Sequence, residues 1–114
     1  MLEERFDVEL MPHAVEFLEK LESNVRVKLL YNMKKASFLH DDRLFKKLNG
    51  EIWEFRTRVT GLSIRMLAFW DSSRPHRGRV IVTHGFFKKS QKTPAQEVVR
   101  AELLRRSYLH QHNE

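Results

Sequence analysis

The sequence predicts an α+β fold. It reads as one compact domain over residues 1–114, in the order β-α-α-β-β-β-α, with a mainly antiparallel twisted sheet, an N-terminal helical hairpin and a C-terminal helix. Three observations predict it. Apolar residues recur with a period of two in several short stretches and with a helical period in others, and the two kinds are segregated along the chain. A tight-turn dipeptide sits between two of the strand-like stretches. No repeat, linker or low-complexity segment divides the chain, and 114 residues suffice for one core but leave little to spare.

The elements follow in order. Arg5 to Leu10 alternates, with Phe6, Val8 and Leu10 on one face of a half-buried strand. Pro12 stands where a first helical residue belongs, and Val15, Leu18 and Leu21, widened by Phe17, make a helical stripe. Ser23-Asn24 interrupts that pattern and is expected to cap a second helix from Val25 to about Phe38, with Val25, Leu29, Met33 and Ala36 facing inward and Leu30 and Tyr31 broadening the stripe. His40 to Gly50 reads as turns, with Leu44, Phe45 and Leu48 tucked under the sheet and Lys46 and Lys47 in solvent.

Three strands then follow. Glu51 to Val59 puts Trp53, Phe55, Thr57 and Val59 on one face and Glu54, Arg56 and Arg58 on the other. Thr60-Gly61 turns the chain into Leu62 to Asp71, and a basic turn around Pro75 leads to Arg79 to Phe87. Pro94 opens a helix to about Leu109 with Val98, Ala101, Leu104 and Tyr108 inward, followed by a polar tail over about 110–114.

Composition narrows the function. Cysteine is absent, which excludes disulfides and thiolate metal sites. His110-x-His112 lies in the polar tail, and neither a metal nor another cofactor is expected. No apolar run approaches the roughly 20 residues of a membrane span. The acidic start Met1-Leu2-Glu3-Glu4 lacks a signal-peptide pattern, so a cytoplasmic location is expected. The net charge is +6, and residues 51–92 alone hold nine Lys/Arg against three acids, while the flanking parts balance. A basic surface confined to one part of the fold is the footprint of a polyanion or of an acidic protein partner.

Within that region, Glu54, Arg56 and Arg58 share a strand face, Arg65 stands alone in an apolar strand, and Lys88-Lys89 ends the last strand beside His84. An arginine in an apolar strand needs a partner or a function. No nucleophile–base spacing, carboxylate pair or phosphate-cradling glycine loop is present. A cationic cluster with one carboxylate and one histidine suits attack of an RNA 2′-hydroxyl on the adjacent phosphate. There the substrate brings the nucleophile, and the protein supplies orientation, positive charge and proton transfer.

Three segments carry a family resemblance: Leu48-Asn49-Gly50-Glu51-Ile52-Trp53-Glu54-Phe55-Arg56, Ser63-Ile64-Arg65-Met66-Leu67, and His84-Gly85-Phe86-Phe87-Lys88-Lys89-Ser90-Gln91-Lys92-Thr93-Pro94. Together they resemble the RelE/ParE toxin superfamily, most nearly the HigB-like and phage-derived branch of type II toxin–antitoxin systems. The resemblance implies a RelE-like domain and a ribosome-dependent mRNA endoribonuclease (mRNA interferase) without a cofactor. It also implies a cognate antitoxin, of helix-turn-helix type, through which alone operator DNA would be bound. The catalytic set it implies is Arg56, Arg65, Lys88 and Lys89, with Glu54 and His84 as further proton-transfer candidates. RNA contacts are expected from Arg58, Lys92, Arg74 and Phe87. Two departures stand out: Glu54 occupies a position where those enzymes carry a basic residue, and Thr93-Pro94 follows the cationic turn where several members have a tyrosine. Two rival readings stay open, a ParE-like inhibitor of DNA gyrase and a catalytically inactive member kept for antitoxin binding.

Overall fold

Three helices and five strands form over residues 2–73, 78–89 and 91–112, which the computed structural model describes. In chain order they are β1 (Phe6–Leu10), α1 (Pro12–Glu19), α2 (Ser23–Phe38), β2 (Phe45–Asn49), β3 (Ile52–Val59), β4 (Leu62–Asp71), β5 (Gly78–Phe87) and α3 (Ala95–His112). The sheet runs β1-β5-β4-β3-β2; β1 lies parallel to β5 and the other pairs are antiparallel. The α+β class is as expected, and the sheet is mixed.

Local chemistry accounts for the joints. Thr60 and Gly61 both adopt positive φ (47° and 79°), the mirror-image turn whose twist matches the strands it joins. Pro12 opens α1, where its missing N–H costs nothing. Arg26 then donates from Nη1 to the carbonyls of Leu18 (3.2 Å) and Leu21 (3.3 Å), and Arg5 donates to those of Ala36 and Leu39 at the end of α2. Arg5 thus meets carbonyls that the end of α2 exposes, and Arg26 ties together the turn between α1 and α2, where the Leu18 carbonyl also accepts the Leu21 N–H (3.1 Å).

The sheet is covered on both faces. Val25, Leu29, Met33 and Ala36 of α2, with Ala14 and Leu18 of α1, bury one face around Phe6, Phe55, Ile64 and Val80. On the other face, Ala101 and Tyr108 of α3 close over Ile52, Leu67, Phe69 and Ile81. Gly85 lets α1 approach, because a Cβ there would run into Phe17 and the sulfur of Met66.

Four expectations need correction. The segment read as turns contains β2, because Phe45 pairs with Phe55 in register and stacks on it (centroids 4.3 Å) and on Trp53 (4.8 Å). Its lysines, Lys46 and Lys47, are exposed on the free edge, where charge discourages further strand pairing. On α1 the inward residues are Ala14 and Leu18, and Val15 is exposed. On α2 the helix starts at Ser23 rather than at Val25, and Leu30 and Tyr31 face outward. At the other end of the chain α3 continues to His112, whose ring stacks on Tyr108 at 4.1 Å.

Candidate functional site

The two β-hairpins decide which side chains meet. Antiparallel pairing of β3 with β4 sets Arg56 directly opposite Arg65, and Glu54 opposite Leu67. Pairing of β4 with β5 sets Arg65 opposite Phe86, and the ladder continues beyond β5 through the Lys88 N–H bonded to the Ser63 carbonyl (2.8 Å). Side chains that alternate along a strand share a face, so Glu54, Arg56, Arg58 and Arg65 project to the side that α3 covers. On that side α3 packs over Ile52, Leu67, Phe69 and Ile81, and the arginines lie beyond these apolar contacts.

At the centre is Arg65, only 8 % exposed, and beside it Glu54, 3 % exposed. Arg65 Nε is 3.2 Å from Glu54 Oε1 without being aimed along a hydrogen bond, so the two form an ion pair rather than a fork. Arg65 Nη1 donates to its neighbour's carbonyl at 3.3 Å, a long bond. Burial lowers the Arg65 pKa from its ordinary value, while Glu54 opposes that shift and Arg56 and Arg58 add to it. Glu54 in turn accepts a 2.7 Å hydrogen bond from the Thr93 hydroxyl and stands 4.0 Å from Arg56 Nε. Lys88 completes the cluster: burial lowers its pKa first and the charge of Arg65 second.

Glu54, Arg56, Arg65 and Lys88 are thus brought together. Arg58 joins Arg43, Arg56, Ser63 and Arg65 along an open groove of about 230 Å³. Lys92 lines a second cleft on the other side of Arg56. Lys89 lines neither of these clefts but a third groove, with Gly61, Leu62, Phe87 and Lys88. Phe87 lies opposite Ile64 in the ladder and packs on Phe17 (5.5 Å between ring centroids), which puts it on the other face of the sheet from Arg65. Arg74 lies outside the described residues.

His84 is held apart from the cations' opening. It is 1 % exposed; Thr83 Oγ1 lies 2.9 Å from Nδ1, and Glu97 Oε1 lies 3.0 Å from Nε2. Nε2 fastens β5 to α3 through Glu97, while Nδ1 is engaged within β5 by Thr83. Burial lowers its pKa, with Glu97 pulling the other way, so the ring is held toward its neutral form.

Thr93, noted in the sequence only as standing near a tyrosine position, has a contact that the sequence did not foretell. Its hydroxyl ties the loop after β5 to Glu54 across 39 residues of chain. A threonine directly before the proline that opens a helix was the available signal, but it points only to a local cap. Asn49 and Gln91, which line the cleft that holds Lys92, stood in the resembling segments without a functional role, because isolated amides carry no spacing signal.

The arrangement can grip a phosphodiester. Arg56 and Arg65 present guanidinium donors from adjacent strands, and Lys88 adds a point charge with a weakened hold on its proton. Glu54 offsets one of these charges and leaves the patch cationic. Among the described residues no helix is long and apolar enough to cross a membrane.

A search of curated proteins found no match. The family model described as phage derived protein Gp49-like (DUF891) matches residues 16–106, which take in every strand after β1 and the whole cationic cluster. Gp49-like proteins are toxin-like members of toxin–antitoxin systems and are associated with toxin endoribonucleases, and such a toxin has an antitoxin partner. By sequence over most of its length, and with the α+β architecture expected of a RelE-like domain, the chain belongs to the phage-derived Gp49-like family of RelE/ParE-like toxins.

Proposed function

We propose that the protein is the toxin of a type II toxin–antitoxin system of the HigB-like branch, acting in the cytoplasm as a ribosome-dependent mRNA endoribonuclease. One observation carries the reading: the strand register brings Arg65 beside Arg56 and Lys88, with only Glu54 set against the three cations, where two clefts open. Surplus positive charge gathered at a cleft is stabilised by an anionic ligand. A phosphate oxygen is the fitting acceptor.

In the reaction the RNA 2′-oxygen attacks the adjacent phosphorus as its proton leaves, and the bond from phosphorus to the 5′-oxygen breaks. The products are a 2′,3′-cyclic phosphate and a 5′-hydroxyl, the 5′-oxygen taking up a proton. Arg56 and Arg65 stabilise the charge that builds on the phosphoryl oxygens. Lys88, whose pKa is lowered by burial and by Arg65, is the group placed to move a proton. Lys89 would add long-range attraction for the RNA backbone from the rim, and Arg58 and Lys92 would track that backbone on either side of Arg56. Glu54 orients Arg65 instead of acting as base, since its oxygens already face Thr93 and two arginines. The antitoxin, of helix-turn-helix type, would carry any operator binding.

Glu54 also favours a second reading, an inactive antitoxin-binding member, because it offsets part of Arg65's charge. Inducible expression in a bacterium with mapping of mRNA 5′ ends separates the two. Wild type is expected to cut within translated codons. Arg65→Ala and Arg56→Ala, the latter a half-exposed residue whose loss leaves no buried charge unpaired, are each expected to lower cutting by about 10²–10³ while keeping a native circular-dichroism spectrum. Growth arrest without new 5′ ends, with loss of plasmid supercoiling, would replace this reading by gyrase inhibition. No arrest at all would favour the inactive module.

A further inference from the structure

The cleft that holds Lys92, with a volume of about 500 Å³, opens between β2, β3 and the loop leading into α3. Its walls are of two kinds. Arg56 and Lys88 bound it on the side of Arg65, whereas Leu48 and the first turns of α3, with Val98 and Val99, form an apolar wall. Val99 is 59 % exposed and presents its apolar surface at this cleft. Between these walls stand two side-chain amides, Asn49 and Gln91. Asn49 follows a shift of register in β2 between Lys47 and Asn49. Such irregularities re-aim a side chain out of the ladder. Gln91 belongs to the loop that the Thr93–Glu54 hydrogen bond fastens to the sheet.

We propose that this cleft is a nucleobase subsite, taking the base of a nucleotide next to the phosphate gripped by Arg56 and Arg65, with Asn49 and Gln91 reading the base edge. The proposal rests on the nuclease reading for the identity of its ligand as single-stranded RNA. A phosphate alone needs cations and no apolar wall. An unstacked base has two apolar faces and an edge of donors and acceptors, so it needs an apolar surface and groups able to do both. A carboxamide offers a carbonyl acceptor and an NH₂ donor side by side, the pattern that pairs with a base edge. The volume lies within the range of small-ligand sites. The wall is aliphatic, so base selection falls on the amides more than on ring stacking.

Two measurements test this. The first is binding of short fluorescent 2′-O-methyl oligonucleotides, which lack the attacking hydroxyl, in homopolymer and abasic forms. Wild type is expected to favour one base over the others and over the abasic form by about tenfold or more, the discrimination typical of a good paired contact to a base. In Asn49→Ala/Gln91→Ala that ratio is expected to fall toward one. Equal binding of base-bearing and abasic oligonucleotides by wild type would overturn the subsite, and is the result expected of a cleft built for an acidic protein segment. A preference unchanged in the double variant would overturn the role of the two amides. The second measurement is the base composition of cut sites in cells. Base preference in binding without any cutting would leave the subsite standing and remove the nuclease reading. Cutting with the same base preference in wild type and double variant would do the reverse.

Discussion

Two nearly buried ion pairs sit at opposite ends of β4, and they are built on different plans. At one end Asp71 accepts hydrogen bonds from the Ser73 N–H (3.0 Å), the Ser73 hydroxyl (2.6 Å), Arg79 (3.2 Å) and the Tyr108 hydroxyl (2.8 Å). Arg79 meets Glu9 as well, at 3.1 Å, so two carboxylates face one guanidinium there. At the other end one carboxylate, Glu54, faces Arg56 and Arg65, with Lys88 close enough to sense the charge of both arginines. In the first cluster the Asp71 carboxylate is filled by four hydrogen bonds and no cation is in surplus. The second carries surplus positive charge and opens to clefts on both sides. A buried network without surplus cations holds a fold together, whereas surplus positive charge facing a cleft is a place for an anionic ligand.

The largest expected effect breaks the first cluster. Asp71→Ala leaves Arg79 and the Tyr108 hydroxyl without their shared acceptor, and losing one partner of a buried pair costs about 3–5 kcal/mol. Each kcal/mol lowers the melting temperature by roughly 4–8 °C in a small domain. Calorimetry should show that drop, while mRNA cutting below the transition persists. If Asp71→Ala instead melted like wild type and stopped cutting, the contrast between the two ends of β4 would be wrong.

A smaller effect is expected at the second cluster. Thr93→Val keeps the shape of the side chain and removes the hydrogen bond to Glu54. Losing a hydrogen bond to a charged group is worth about 1.5–3 kcal/mol, which corresponds to roughly tenfold or more in rate if it acts through the position of Arg65. Single-turnover cleavage should slow by about that factor, and Thr93→Ser should restore it. A melting temperature lowered with cleavage unaltered would make Thr93 a structural tie only.

Periodicity made the strands and helices legible wherever burial was one-sided. Val25, Leu29, Met33 and Ala36 all face inward on α2 as their spacing requires, and Thr60-Gly61 forms the turn that its chemistry demands. It failed at Phe45–Asn49, where one buried aromatic is followed by two lysines and alternation never develops. That strand exists because Phe55 and Trp53 offer Phe45 a stacking surface, which is information held outside the segment. The cationic site was legible as composition and as strand faces. Its wiring was not, since the Glu54–Thr93 hydrogen bond depends on where α3 begins relative to β3. Phe87 shows the same limit: proximity to Lys88 in sequence placed it with the cations, and the pleat sends it to the other face.

The smallest expected effect concerns pH, and it separates the two ends again. His84 is held toward its neutral form chiefly by burial, so its folded pKa lies below the unfolded value of about 6.5. The folded state then binds fewer protons than the unfolded one. The stability this group contributes is therefore present above about pH 6.5 and lost as pH falls through its lowered value. At Asp71 burial would raise the pKa, but the bonds from Ser73, Tyr108 and Arg79 outweigh it and hold the carboxyl far below its usual range. Its contribution is lost only below about pH 4. Tyr108 is raised to about 12 by burial and by Asp71, so its contribution is full below about pH 10 and fades above it. Melting followed against pH should thus show a mild acid loss beginning near pH 6.5, a steeper one below about pH 4, and an alkaline limb above about pH 10. His84→Gln should remove the mild limb alone, and Tyr108→Phe the alkaline one. If His84→Gln left the curve unchanged between about pH 6.5 and 4, the contact between β5 and α3 would not depend on the neutral imidazole.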